Sequence, residues 1–184
     1  MKFYTSDLHF DHENILRYEN RPFDSVEDMN EALIANWNAK VKKGDEVYIL
    51  GDFCFDKYGS RTNEILSRLN GQKFLIRGNH DYFLRSPSFD KSAFVWIKDY
   101  AQIKDGEHTV ILFHYPIAVW DKKHHNSIHL YGHIHSNSGT HHPLAFDLGN
   151  AFNVGVDVCG YEPKTLEEII NLGGGLVDEE QYYR

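Results

Sequence analysis

The chain has 184 residues, 41% of them apolar, and 27 acidic side chains against 19 basic ones give a formal net charge of −8. That length suits one domain with a core of its own, and so acidic a chain lacks the broad cationic face that duplex nucleic acid binding requires. No apolar stretch approaches the ~20 residues of a membrane-spanning helix.

The first strand is predicted over Lys2 to Ser6. A helix follows from Ser25 to Lys40, where Val26, Met29, Leu33 and Trp37 recur every three or four residues as one apolar stripe facing the core. Ser25 is its cap. A second strand, Glu46 to Leu50, leads to a helix over Ser60 to Asn70 with Ile65, Leu66 and Leu69 on one face and Gly71 as its left-handed stop. Lys73 to Arg77 is the third strand, and Asp81 to Lys91, with Ser86-Pro87-Ser88, is a loop. Thr109 to Phe113, His129 to Tyr131 and Ala151 to Val156 complete the strands. The last helix opens at Thr165, which forms a capping box with Glu168, and ends at Gly173-Gly174-Gly175. Asp178-Glu179-Glu180 reads as a solvated tail. Strands alternating with helices predict an α/β fold. The strand-rich later half favours a mixed sheet, or two sheets, over a purely parallel one. With no repeat, low-complexity tract or linker, residues 1–184 read as a single domain.

Two cysteines, Cys54 and Cys159, exclude a C-x-x-C zinc site and a disulfide framework. No signal-peptide core precedes Asp7 and His9, so a soluble, cytoplasmic protein is expected. The unusual component is histidine, with 12 residues, because neutral imidazole is the commonest protein ligand for borderline metals.

Five of the strands hand over directly to residues able to bind a metal: Asp7 and His9; Gly51-Asp52; Gly78-Asn79-His80-Asp81; His114; and Gly132-His133-Ile134-His135. Ligands in open α/β sheets bind outside the carboxyl ends of strands, so these turns are expected to converge. On extended backbone the i, i+2 pairs Asp7/His9 and His133/His135 each point to one side. The glycines before Asp52, Asn79 and His133 suit sharp turns or close approach to the backbone. Two carboxylates, an Asn carbonyl and four imidazoles, without sulfur, suit Mn, Fe or Zn and are too rich in nitrogen for Ca. They exceed one tetrahedral site. Two ions about 3.5–4 Å apart, sharing a carboxylate and a hydroxide, would use them all and form a clamp for displacement at phosphorus.

In that order D-L-H, G-D, G-N-H-D, a lone His and G-H-I-H, over residues 5 to 135, resemble the calcineurin-like metallophosphoesterase superfamily. The resemblance implies a four-layer sandwich, two mixed sheets flanked by helices. It implies two divalent ions (Mn, Fe, Zn or Ni, with Mn favoured for activity), one held by Asp7, His9, Asp52 and His135 and the other by Asp52, Asn79, His114 and His133. His80 is similar to the family's histidine beside the leaving group, Asp81 to the acid that orients it, and Asn79 also faces the phosphoryl oxygens. After Gly51-Asp52 the chain continues Phe53-Cys54-Phe55-Asp56 instead of the Asp-Arg-Gly of Ser/Thr protein phosphatases. The opening, with Phe10-Asp11-His12 and Arg21-Pro22-Phe23, is similar to small bacterial and phage members.

The expected function is hydrolysis of a phosphate ester, a small nucleotide-like diester in preference to a monoester, by in-line attack of the shared hydroxide. A nuclease acting on single strands and a catalytically idle scaffold are the alternatives. Only 27 residues separate Asp81 from Thr109 and 18 separate His114 from His133, too few for a cap domain. His12, Arg17, Arg21 and Arg77 are candidate substrate contacts, with Lys122 and Lys123 further cations near the motifs; for each cation taken singly a solvated or core-anchoring role is the more usual one. His124, His125, His141 and His142 read as surface, and Cys54 as packing beneath the site. No membrane partner and no stable duplex binding are expected.

Overall fold

Phe3, Val47, Ile49 and Leu75 turn to one side of their strands, and Tyr4, Tyr48, Leu50, Phe74 and Ile76 to the other. This two-residue alternation, buried on both faces, determines the architecture. The computed structural model describes residues 1–136 and 148–177. In chain order the elements are β1 (Lys2–Thr5), α1 (Glu13–Tyr18), α2 (Val26–Lys40), β2 (Glu46–Ile49), α3 (Ser60–Arg68), β3 (Gln72–Ile76), β4 (Trp96–Lys98), β5 (Tyr100–Asp105), β6 (His108–Phe113), β7 (Ile128–Tyr131), β8 (Ala151–Asn153), α4 (Val156–Cys159) and α5 (Leu166–Leu172).

They form two four-stranded sheets, ordered β1-β2-β3-β4 and β5-β6-β7-β8. The first sheet is parallel throughout, with one antiparallel bridge from Tyr4 to Lys164 at its edge. The second is mixed, because only β5 runs against its neighbour. One core, containing Leu33, Trp37, Ile65 and Leu66, lies between the first sheet and the helices α2 and α3. A second, containing Val110, Leu112, Ile128 and Leu130, lies between the sheets. On the outer face of the second sheet Tyr131 and Ala151 pack with Ile134 and Leu148, and the segment from His114 to Ser127 reaches it as well, its Tyr115 carbonyl 3.2 Å from His129 Nε2. Trp120 from this segment packs on His129 with ring centroids 5.2 Å apart. Among the described residues no helix is long and apolar enough to cross a membrane.

Ser25 caps α2 by accepting from the Asp28 N–H at 3.1 Å, and the Thr165–Glu168 capping box is complete at the start of α5. Two boundaries differ from expectation. Helix α3 stops at Arg68 because Leu69 turns extended to enter the core, its carbonyl accepting from Lys73 Nζ at 2.7 Å. Gly71, at φ +86, sits in the turn into β3 against Val41 and the Asp45 carbonyl and does not stop the helix. Strand β8 ends at Asn153 since α4 begins at Val156. The short α1 and α4 escape sequence reading because six and four residues leave little room for a periodic signal, and the edge strand β5 because its inward face carries only Ala101 and Ile103 as apolar residues. The Asp81 to Lys91 stretch holds a 3-10 turn at Tyr82–Arg85 and opens another at Lys91–Ala93. His141, His142 and Asp178 to Glu180 lie outside the described residues.

Replacing Ser25 by Ala removes the accepting oxygen from the α2 cap. Urea unfolding is expected to show a loss of about 1 kcal/mol with no change in metal content.

Candidate metal centre

The carboxyl ends of β1, β2, β3, β6 and β7 meet on one side of the two sheets. Beyond them the chain continues in irregular rungs: Asp7 N–H donates to the Gly51 carbonyl at 3.0 Å, His9 N–H to Asp52 at 2.9 Å and Gly132 N–H to His114 at 2.9 Å. The turns are not extended, as the i, i+2 argument assumed. Asp7 (φ 55), His9 (φ 51), Asp52 (φ 53), His133 (φ 72) and His135 (φ 48) all adopt the left-handed conformation, which costs a residue with a Cβ roughly 1–2 kcal/mol. Asp7 and His9 still converge, but His133 and His135 diverge into separate groups.

Asp7, His9 and His135 form one group, and Asp52, His114 and His133 the other, each offering ligand atoms within 4.8 Å of one another. Asp52 stands between them, its Oδ2 lying 3.6 Å from His9 Nε2 and 3.6 Å from His114 Nε2. His114 directs Nδ1 to the Leu50 carbonyl at 2.7 Å, and a ring nitrogen facing a carbonyl oxygen carries the proton. Nε2 of the neutral ring is then a lone pair, 3.0 Å from Asn79 Oδ1. His9 Nε2 is buried without a hydrogen-bond partner, which is costly unless something else satisfies it. Converging lone pairs without protons between them are what a divalent cation requires, so these donors fit a metal.

The carboxylates and glycines hold this geometry together. Asp7 accepts the His133 N–H at 2.9 Å, and Asp52 Oδ1 accepts the His80 N–H at 2.8 Å. A Cβ on Gly132 would strike the Asp7 carboxylate at 2.5 Å, one on Gly51 would meet His114 Nδ1 at 2.5 Å, and one on Gly78 would meet the Asp52 backbone and carboxylate. These glycines leave space for ligand side chains, a more specific reason than sharp turning. Burial pushes the Asp7 carboxyl up to about 6, although His135 and His114 pull it down. Burial likewise holds His9 well below its ordinary value, keeping it neutral. For His135 burial opposes the charge, but its Asp157 hydrogen bond and the nearby Asp7 outweigh it, and the net shift is upward.

Asp81 does not orient His80 in this structure. Its buried carboxylate accepts from the backbone N–H of Gly78 (2.7 Å), Phe53 (2.8 Å) and Asp52 (3.2 Å), tying the β2 turn to the β3 turn. His80 is half-buried, its Nδ1 has no partner, and its ring lies 5.5 Å from that of His9. Of the expected substrate contacts, His12 lies at the site, with Nδ1 3.1 Å from His9 Nδ1 and its ring stacked on Phe55 at 3.9 Å. Arg17 is exposed beside Tyr18, and Arg77 is paired with Asp99 at 2.7 Å. Arg21 is not a surface cation: it is buried and bonded to Asp157 and to two backbone carbonyls, so no phosphate reaches it. Lys123 packs over Trp120, and His124 and His125 are exposed in a 3-10 turn on the same segment. Cys54 is buried and bridged to Phe10 behind the site.

Sequence reasoning missed three groups. Asp157 bonds His135 Nδ1 at 2.8 Å; Asn153 Nδ2 donates to the His135 carbonyl at 2.7 Å; and the Tyr115 hydroxyl lies 3.4 Å from Asn79 Oδ1, its ring 4.6 Å from that of His133. The available signal for Asp157 was a carboxylate between valines, Val156-Asp157-Val158, where burial without a partner is too costly.

Comparison with known proteins gives the family. An uncharacterized protein of Methanocaldococcus jannaschii is 36% identical over 168 residues, covering 91% of this chain and 88% of its own length. The gene 66 protein of Mycobacterium phage L5 is 29% identical, with 96% of each chain covered. The crystal structure of a protein of unknown function from Aquifex aeolicus superposes with a TM-score of 0.68 at 26% identity, covering 94% of this chain and 98% of that one. Residues 3–99 match the model of the calcineurin-like phosphoesterases. With strand-end carboxylates and imidazoles gathered on two sheets, the chain belongs to the calcineurin-like phosphoesterase family.

Proposed function

We propose that the protein hydrolyses a small phosphodiester with the help of two divalent ions held side by side. The observation that carries this reading is the central carboxylate, with Asp52 Oδ2 at 3.6 Å from an imidazole nitrogen of each ligand group. One group would be Asp7, His9, Asp52 and His135, and the other Asp52, Asn79, His114 and His133. Bound ions of this kind polarise a phosphoryl group and make water acidic enough to attack at neutral pH.

The chain's own residues then have distinct tasks. His80, half-buried with its ring 5.5 Å from that of His9, gives a proton to the leaving oxygen. Asn79 is exposed and directs Oδ1 toward His114, which leaves its amide N–H groups for a phosphoryl oxygen. The diester preference rests on the rim. With Arg21 buried and Arg77 shared with Asp99 in an exposed pair, the rim offers less positive charge to the second charge of a monoester than three free arginines would. The thiols of Cys54 and Cys159 are both buried, and burial pushes each up to about 12.

Protein loaded with Mn2+ is expected to hydrolyse a chromogenic diester faster than the monoester with the same leaving group, and to lose that activity on chelation. Absence of turnover with every divalent ion tried sinks the proposal. Replacing His80 with Ala should lower the rate by about 10²–10⁴-fold, the usual worth of general acid catalysis, while metal analysis still finds two ions per chain. Metal affinity carries a pH signature as well. The Asp7 proton competes with the cation until pH exceeds its raised value of about 6. Affinity measured by calorimetry should therefore climb from pH 5 to above pH 7, because the His135 proton, held above the ordinary imidazole range by Asp157 and Asp7 in spite of burial, competes as well, with proton release on the acid side; a flat profile contradicts the assignment of these two residues as ligands.

A further inference from the structure

The least expected feature of the centre is a buried charge pair behind it. Arg21 and Asp157 are 136 residues apart, on the segment after α1 and in α4, and their side chains are 0% and 2% exposed. The guanidinium fork donates through Nε to Asp157 Oδ1 at 2.8 Å and through Nη2 to Oδ2 at 3.0 Å. Its remaining donors reach the Leu8 carbonyl (Nη1, 2.8 Å) and the Asp7 carbonyl (Nη2, 2.7 Å). Those carbonyls belong to the left-handed turn that presents Asp7 and His9. On the other side, Asp157 Oδ2 accepts from His135 Nδ1 at 2.8 Å. A carboxylate has no proton to give, so Nδ1 carries the imidazole proton and Nε2 keeps its lone pair for the Asp7, His9 and His135 group. Glu19 also lies near His135, but its Oε2 is engaged by Ser136 Oγ at 3.0 Å.

We propose that Asp157 is the positioning residue of His135 and Arg21 its counter-charge, so that one buried chain from the Asp7–Leu8 carbonyls through Arg21 and Asp157 to His135 sets the geometry of the first ligand group and reaches the second through the Asp7 carboxylate on the His133 backbone N–H. This inference rests on the two-ion reading above. Both residues lie outside the motif ligands, and Asp157 also lies beyond the stretch that matches the family model. The second group owes the rest of its orientation to other contacts, with His114 Nδ1 on Leu50 and Asp52 Oδ1 on the His80 N–H. A purely structural strut would hold both groups equally, whereas a carboxylate–histidine–metal arrangement tunes its own ligand most, typically by 10–100-fold in affinity.

The test is a Mn2+ titration of the full chain by calorimetry, comparing wild type with Asp157→Asn. A buried guanidinium left without its counter-charge endangers folding, so the double variant Arg21→Met with Asp157→Asn is titrated alongside, with melting curves for each. The expected result is a loss of about 10–100-fold in one of the two binding steps, the other staying within about threefold, in whichever variant melts cooperatively. A shifted imidazole Nδ1–H proton resonance for His135 should accompany it. Two unchanged steps, or an equal fall in both, in a cooperatively melting variant overturns the inference and leaves the two-ion reading intact. Failure of the wild type to bind any divalent ion overturns both.

Discussion

The centre depends on buried aspartates whose oxygens accept backbone N–H groups from other turns. Asp7 holds the N–H of His133, Asp52 that of His80, and Asp81 those of Gly78, Phe53 and Asp52. The Asp7 bond joins one sheet to the other, and those of Asp52 and Asp81 tie the β2 and β3 turns together beyond the ladder that pairs these two strands. Hydrogen bonds to charged acceptors are about twice as strong as neutral ones, which suits turns that are each in an unfavourable backbone region. The same carboxylates that would face a cation therefore also build the pocket around it. Replacing one of them disturbs geometry as well as charge.

The cost of this arrangement is concentrated in one place. Five of the residues named as metal ligands are left-handed, Asp7 is buried with its carboxyl pushed up to about 6, and His9 keeps an orphaned nitrogen. Strained backbone and desolvated carboxylates persist where the surroundings over-determine them and where a ligand uses them. A divalent ion favours the ionised aspartates and satisfies the free lone pairs. Two of these burdens, the desolvated carboxyl of Asp7 and the orphaned nitrogen of His9, are ones that a bound cation would relieve, which would couple metal binding to local stability.

The ligand set was legible because its chemistry is written in residue types at strand ends: D-L-H, G-D, G-N-H-D, His114 and G-H-I-H fall where the structure gathers them. The α2 and α5 caps were legible for a local reason too, since Ser25 and the Thr165–Glu168 pair act within one turn. What stayed hidden depends on contacts between distant residues. Nothing near Arg21 in the chain shows that it is buried, because its partner is Asp157, and a basic residue near a phosphate motif reads as a surface contact. Asp81 next to His80 reads as that residue's partner, while its carboxylate turns the other way, to three backbone N–H groups. The left-handed turns were invisible since Asp and His carry no mark of it, unlike the neighbouring glycines. The three-residue β4 is too short for a periodic signal and is defined by pairing with β3, while β5 alternates but has only Ala101 and Ile103 as apolar residues on its inward face.

The central claim is that two cations sit side by side and share Asp52. Anomalous diffraction from crystals grown with Mn2+ tests it most directly. The account predicts two peaks about 3.5–4 Å apart, one among Asp7, His9, Asp52 and His135 and the other among Asp52, Asn79, His114 and His133. A single peak, or two peaks without Asp52 between them, contradicts it.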